Sequence, residues 1–227
     1  MDAQHKAWNE RQKRLHQALA SPGEHSLALE LFLHQHAMLH TREVSGIPES
    51  TFDDQLWQGL DEADARFIPS AAEHSIAWCL WHIARIEDLT MNLLVAGQPQ
   101  LFAEGGWLER LNVSFRDTGN ARPADDTVRL SAAIDPPGLR LYRSAVGRRT
   151  REIVQTLSPT ALREKVQPSR LEHIWRDAAV LPEGREVVEY WGGRTLAGLL
   201  LMPATRHPLI HLNEAMRIKE LVHRRER

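Results

Sequence analysis

Ser75-Ile76-Ala77-Trp78-Cys79-Leu80-Trp81-His82-Ile83-Ala84-Arg85-Ile86-Glu87-Asp88 is the stretch on which the fold turns. Ser75 supplies an N-cap, because its hydroxyl can accept from backbone N–H groups that the first turn of a helix leaves without partners. Apolar residues then recur at helical spacing: Ile76, Ala77, Cys79, Leu80, Ile83, Ala84, Ile86, Leu89, Leu93 and Leu94, closing at Ala96-Gly97. Gly97 is a natural stop, since glycine takes the left-handed conformation without a Cβ penalty. The pattern predicts a long core helix over 75–96. One polar ring, His82, sits inside it between Trp81 and Ile83.

Alone, His82 reads as a core histidine satisfied by its neighbours. The last segment changes that reading. Arg206-His207-Pro208-Leu209-Ile210-His211-Leu212-Asn213-Glu214-Ala215-Met216 places two imidazoles four residues apart. On a helix, residues i and i+4 share a face, with Cβ atoms roughly 5 to 6 Å apart, so both rings can reach one ion at the ~2.0 to 2.1 Å of a zinc–nitrogen bond. Two ligands rarely hold a divalent ion. A histidine from another helix makes a three-nitrogen set and leaves a further position for water or substrate, the arrangement of a catalytic metal. If His82, His207 and His211 serve one ion, their nearest ring nitrogens lie within about 5 Å of one another. Pro203 and Pro208 interrupt this last segment, so either the helix begins near Ala204 or a kink is tolerated where a site is built.

Outward from these two helices, three further helical patterns appear. Trp8, Leu15 and Leu19 mark a lightly apolar lead-in helix ending at Ser21-Pro22-Gly23. A core helix runs from Ser26 to Val44 and carries His34, His36 and His40, the last two forming a second i, i+4 pair. A third long helix covers Pro137 to Leu157, and residues 98–137 read as an irregular connection that crosses over or walls a pocket. With Thr195 to Val222 as the last member, the expected architecture is all-α: a four-helix bundle over 26–227, preceded by the lead-in segment 1–25, with long crossovers and extra short helices.

The totals set limits. A chain of 227 residues with no run of eighteen or more apolar residues fits one or two domains and no membrane span. The charged first twenty residues do not resemble a secretory signal, which points to the cytoplasm. A formal charge of −2 gives no field to gather nucleic acid. The cations Arg217, Lys219, Arg224, Arg225 and Arg227 complement the dipole at a helix end. The single cysteine, Cys79, leaves His, Asp and Glu as the metal ligands within the chain. Nothing adjacent to Cys79 stabilises a thiolate, so it is not read as a nucleophile.

The segments Ser75–Asp88 and Arg206–Ala215 resemble two helix signatures of the DinB/YfiT-like family of metalloenzymes, in the same order and on separate helices. The resemblance covers the chain from about Ser26 to the end. It implies a four-helix bundle with a long crossover, frequent homodimers, and a divalent metal (zinc, nickel or iron) held by His82, His207 and His211. Pro208 stands where that family commonly has a small polar residue. Its characterised members are thiol-dependent transferases and isomerases using low-molecular-weight thiols such as bacillithiol or mycothiol. The expected function is therefore a metal-dependent transferase or hydrolase acting on a small molecule, with His36, His40 and Glu87 lining a pocket or supporting the ligands and the catalytic residues unknown. The alternative is a non-catalytic binding or stress-response module, in which the metal ties two helices together through a closed, four-ligand site.

Overall fold

Helical periodicity becomes helix along most of the chain. The structure, a computed structural model, describes residues 3–70 and 73–225. Among them every regular element is helical, and the one strand-like contact is an isolated antiparallel bridge between Lys165 and Thr195. None of these helices is long and apolar enough to cross a membrane. Arg227, one of the C-terminal cations, lies outside the described residues.

Six helices position the site: α1 (Ala3–Ala20), α2 (His25–Ala37), α3 (Ile76–Asp88), α4 (Pro136–Thr156), α5 (Leu196–Leu201) and α6 (His207–Arg225). α3 is apolar around most of its circumference, and its polar residues His82, Arg85, Glu87 and Asp88 are buried with the rest, so it is an interior helix. All thirteen of its residues are buried, with α4 and α6 packed against it. Ser75 caps it as expected, its hydroxyl accepting from Trp78 N at 2.9 Å. Beyond Asp88 the helix widens into a π-helical stretch, Leu89–Ala96, and stops at Gly97 with φ +67°. α1 lies against α2 and α5, and Trp8, Leu15, Ala18 and Leu19 are its buried face.

Several boundaries differ from those the sequence predicts. The first core helix ends at Ala37, not Val44, and the chain turns at Met38–His40 before a short helix, Arg42–Ser45. The cause is tertiary: Arg143 of α4 donates to the Leu39 carbonyl at 2.9 Å, and Phe52 N donates to the Met38 carbonyl at 3.0 Å. The 98–137 connection contains helices at Leu101–Glu104, Trp107–Arg110 and Ala124–Ala133. The last is a ten-residue helix whose sequence has too few apolar residues to show a period. Arg185–Gly192 is also helical.

The last segment is continuous but not uniform. Between α5 and α6 the chain forms a π turn, Met202–Arg206, which contains Pro203. Proline removes a donor from the helical ladder. Side chains supply donors there: Thr205 Oγ1 donates to the Leu200 carbonyl (3.0 Å) and the Leu201 carbonyl (2.9 Å), and Gln12 Nε2 donates to Leu201 O (3.2 Å). Pro208 is the second residue of α6.

Candidate metal centre

α3 and α6 pack against each other, and this contact brings His82 to the His207–His211 pair. One ligand nitrogen from each of the three rings lies within 4.8 Å of the others. The ring centroids are 5.1 Å (His82–His207), 5.0 Å (His82–His211) and 4.7 Å (His207–His211) apart, with interplanar angles of 65°, 79° and 74°. The rings therefore meet edge to face rather than in a stack.

Two of the three rings have their outer nitrogen tied down. His82 Nδ1–H donates to the Thr118 carbonyl at 2.6 Å, and His211 Nδ1–H donates to Glu214 Oε2 at 2.9 Å. Each bond fixes a tautomer and leaves Nε2 with its lone pair, which is the state a metal-binding imidazole requires. His207 Nδ1 is buried without a partner. Glu214 also accepts from His74 Nδ1 at 2.8 Å, so one carboxylate steadies two rings. Trp78 forms a wall, stacked between His74 (3.6 Å, 5°) and His82 (4.7 Å, 13°).

The Thr118 carbonyl reaches His82 because the 117–120 loop is clamped. Thr118 N donates to the Ala179 carbonyl at 2.9 Å, and Gly119 N donates to Asp117 Oδ1 at 2.9 Å. Gly119 has φ +85°, and a Cβ there would come within 2.7 Å of the Trp81 ring. Only glycine fits this turn.

Burial keeps His82 and His207 neutral. Burial, reinforced by His207 and His211, holds His82 well below the ordinary imidazole range. Burial and then His211 bring His207 down to about 3. Burial pushes the Glu214 carboxyl up, but the hydrogen bonds from His211 and His74 outweigh it and hold the group below the usual carboxylate range. Burial and the Glu214 carboxylate push the Cys79 thiol up.

These shifts set a pH dependence for the metal-free chain. A histidine at about 3 when folded and about 6.5 when unfolded binds fewer protons in the folded state between those values. Its stabilising effect is complete above pH ~6.5 and is lost as pH falls toward ~3. His36, down to about 4 chiefly through burial, acts in the same direction. The urea midpoint of metal-free protein is expected to fall steadily from pH 6.5 to 4, and a flat midpoint would contradict the buried neutral rings.

The site opens on one side. His82 is 4% exposed, whereas the side chains of His211, Glu214 and His74 are 15%, 23% and 34% exposed. His36, His40 and Glu87 form a separate buried cluster and bond to one another, His36 Nε2 to Glu87 Oε1 at 2.8 Å and His40 Nε2 to Glu87 Oε2 at 3.0 Å. The groups that hold the three rings are instead Thr118, Glu214 and, through Glu214, His74. Glu214 could have been found from its place three residues after His211 on one helix face. A backbone carbonyl such as that of Thr118 leaves no mark in a sequence.

The family model described as the DinB superfamily matches residues 54–205. The matched span includes His82 and ends just before His207. Among curated proteins, none matches the chain.

Proposed function

Because the chain belongs to the DinB superfamily, we propose that His82, His207 and His211 hold a divalent ion (zinc, nickel or iron) in a four-helix bundle of α2, α3, α4 and α6, and that the protein is a thiol-dependent transferase or isomerase acting on a small molecule. The observation that carries this reading is the convergence of three imidazoles, two with Nδ1 already bonded to an acceptor, at a site exposed on one side only. That donor set fits a divalent metal, since imidazole nitrogen suits zinc, nickel and iron alike. The ion, when bound, supplies a Lewis acid that polarises a carbonyl or lowers the pKa of a thiol or water.

The chain's own residues do the rest. Thr118 and Glu214 hold His82 and His211 in one tautomer and orientation, so little reorganisation accompanies binding. Trp78 shields the inner face of His82 from water. At the open side, His74, steadied by its bond to Glu214, is the ring placed beside an incoming thiol. A low-molecular-weight thiol as cosubstrate, a homodimer and a cytoplasmic location complete the proposal.

Metal analysis of untagged protein, followed by assays of thiols paired with electrophiles, tests it. Turnover is expected to require both metal and thiol, and to stop when His82 or His211 is replaced. Protein that binds metal through these histidines yet turns over no thiol–electrophile pair would favour the non-catalytic module.

A further inference from the structure

We propose a second metal site, separate from the three-histidine centre, in which His36 in the last turn of α2, His40 in the turn that follows it and Glu87 of α3 bind a divalent transition-metal ion of the zinc class. Ligand atoms of the three residues lie within 4.8 Å of one another, and all three side chains are 98% buried or more. The nitrogen–oxygen separations of 2.8 and 3.0 Å are close to the ~3.0 to 3.4 Å between ligands that share one ion at ~2.0 to 2.1 Å. A small outward shift of either ring makes room for such an ion. Two imidazoles and one carboxylate also form a recurring donor set for divalent metals.

The local charge favours a cation. Among the described residues, both Glu87 oxygens meet only imidazole donors, and no Lys or Arg pairs with this buried carboxylate. The neighbouring guanidiniums are engaged elsewhere: Arg143 with Asp53 and the Leu39 carbonyl, Arg151 with the Leu33 carbonyl. A buried carboxylate without a cation is costly, and an ion bound to it removes that cost. His36 and His40 also lie where α2 ends, at the negative end of the helix dipole.

The surroundings hold the rings in place. Gly147 of α4 backs His40, and a Cβ there would lie 2.7 Å from His40 Nδ1. Thr150, three residues on along the same helix, has a buried hydroxyl without a partner, and both ring Nδ1 atoms are likewise buried and unpartnered. When Nε2 binds a metal, Nδ1 carries the proton, which matches two ring Nδ1 atoms that no protein donor engages among the described residues. The rival is a cluster held by hydrogen bonds alone, which has the same shape but binds no ion.

Stoichiometry separates the two. The protein is stripped with chelator, reloaded with zinc, desalted, and its metal measured per folded chain. Wild type is expected to hold two equivalents, and a His82→Ala/His207→Ala variant, in which the buried cluster is intact, one. Adding Glu87→Gln, close in shape but a poor ligand, is expected to remove that last equivalent while circular dichroism stays helical. A wild type holding a single equivalent that the double variant loses overturns the proposal, as does a double variant whose content is indifferent to Glu87→Gln. Should Glu87→Gln fail to fold, cobalt loaded into the double variant with and without His36→Ala decides instead: a visible absorption band of one bound ion that His36→Ala abolishes supports the site, and a band that is absent or unchanged by His36→Ala rejects it. A wild type with two equivalents that keeps both in the double variant would locate the failure in the three-histidine centre, not here.

Discussion

Replacing His82 with alanine is expected to weaken zinc binding at the three-histidine centre by more than about a hundredfold, because losing a group that merely orients a ligand already costs about 10- to 100-fold. His82 is the one ring that α3 contributes to the cluster, and without it only the two rings of α6 remain. Glu214→Ala is the graded comparison. It frees His211 Nδ1 and His74 Nδ1 while leaving all three rings present, so a loss of about 10- to 100-fold is expected. Cys79→Ser should leave binding and turnover nearly unchanged, because the thiol is buried and held protonated. Competition with a chromophoric chelator measures all three variants. His82→Ala protein that is folded and binds as tightly as wild type would remove the basis for the centre. A Cys79→Ser variant that is metallated, folded and inactive would move the chemistry to a protein thiol.

Asp88→Ala should be the most damaging single change to stability, by about 3 to 5 kcal/mol, the usual cost of removing one member of a buried ion pair. Asp88 is fully buried at the end of α3 and accepts from Leu101 N (2.9 Å), Phe102 N (2.8 Å), Tyr142 Oη (2.6 Å) and Asn92 Nδ2 (2.8 Å). It also faces Arg85 Nη1 at 3.3 Å, and Arg85 is 1% exposed. Alanine would strand two backbone donors and a guanidinium left with only neutral partners, Tyr142, Gln100 and the Arg116 carbonyl. Burial pushes the Asp88 carboxyl up, so Asp88→Asn, which keeps an acceptor oxygen, should cost less than alanine. Urea unfolding of the two variants beside wild type gives the comparison. A loss under about 1 kcal/mol for alanine would show that this network does not fasten the crossover to α3.

Local chemistry made some of this protein legible in advance. Ser75 and Gly97 mark the two ends of the buried helical segment because an N-cap hydroxyl and a left-handed stop act on their own backbone neighbours. His207 and His211 share a face because the helical repeat places i and i+4 together, and His82 was conspicuous as a polar ring in an apolar helix. These are short-range relations, and they survive folding. What the sequence could not show depends on groups far apart in the chain. α2 stops at Ala37 because Arg143, more than a hundred residues later, claims the Leu39 carbonyl, and helical periodicity contains no term for such a donor. At the π turn after α5, Gln12, nearly two hundred residues earlier in the chain, donates to the Leu201 carbonyl, a contact that no local pattern encodes. His36 and His40 gain their common partner, Glu87, only when α2 meets α3. By itself, then, the sequence determined an all-helical chain and named the three histidines. Tertiary structure alone decided the tautomers of His82 and His211 and which side of the site is open, because a backbone carbonyl from a crossover loop, a carboxylate bonded to His211 and His74 and the burial of each ring exist only once the helices are packed.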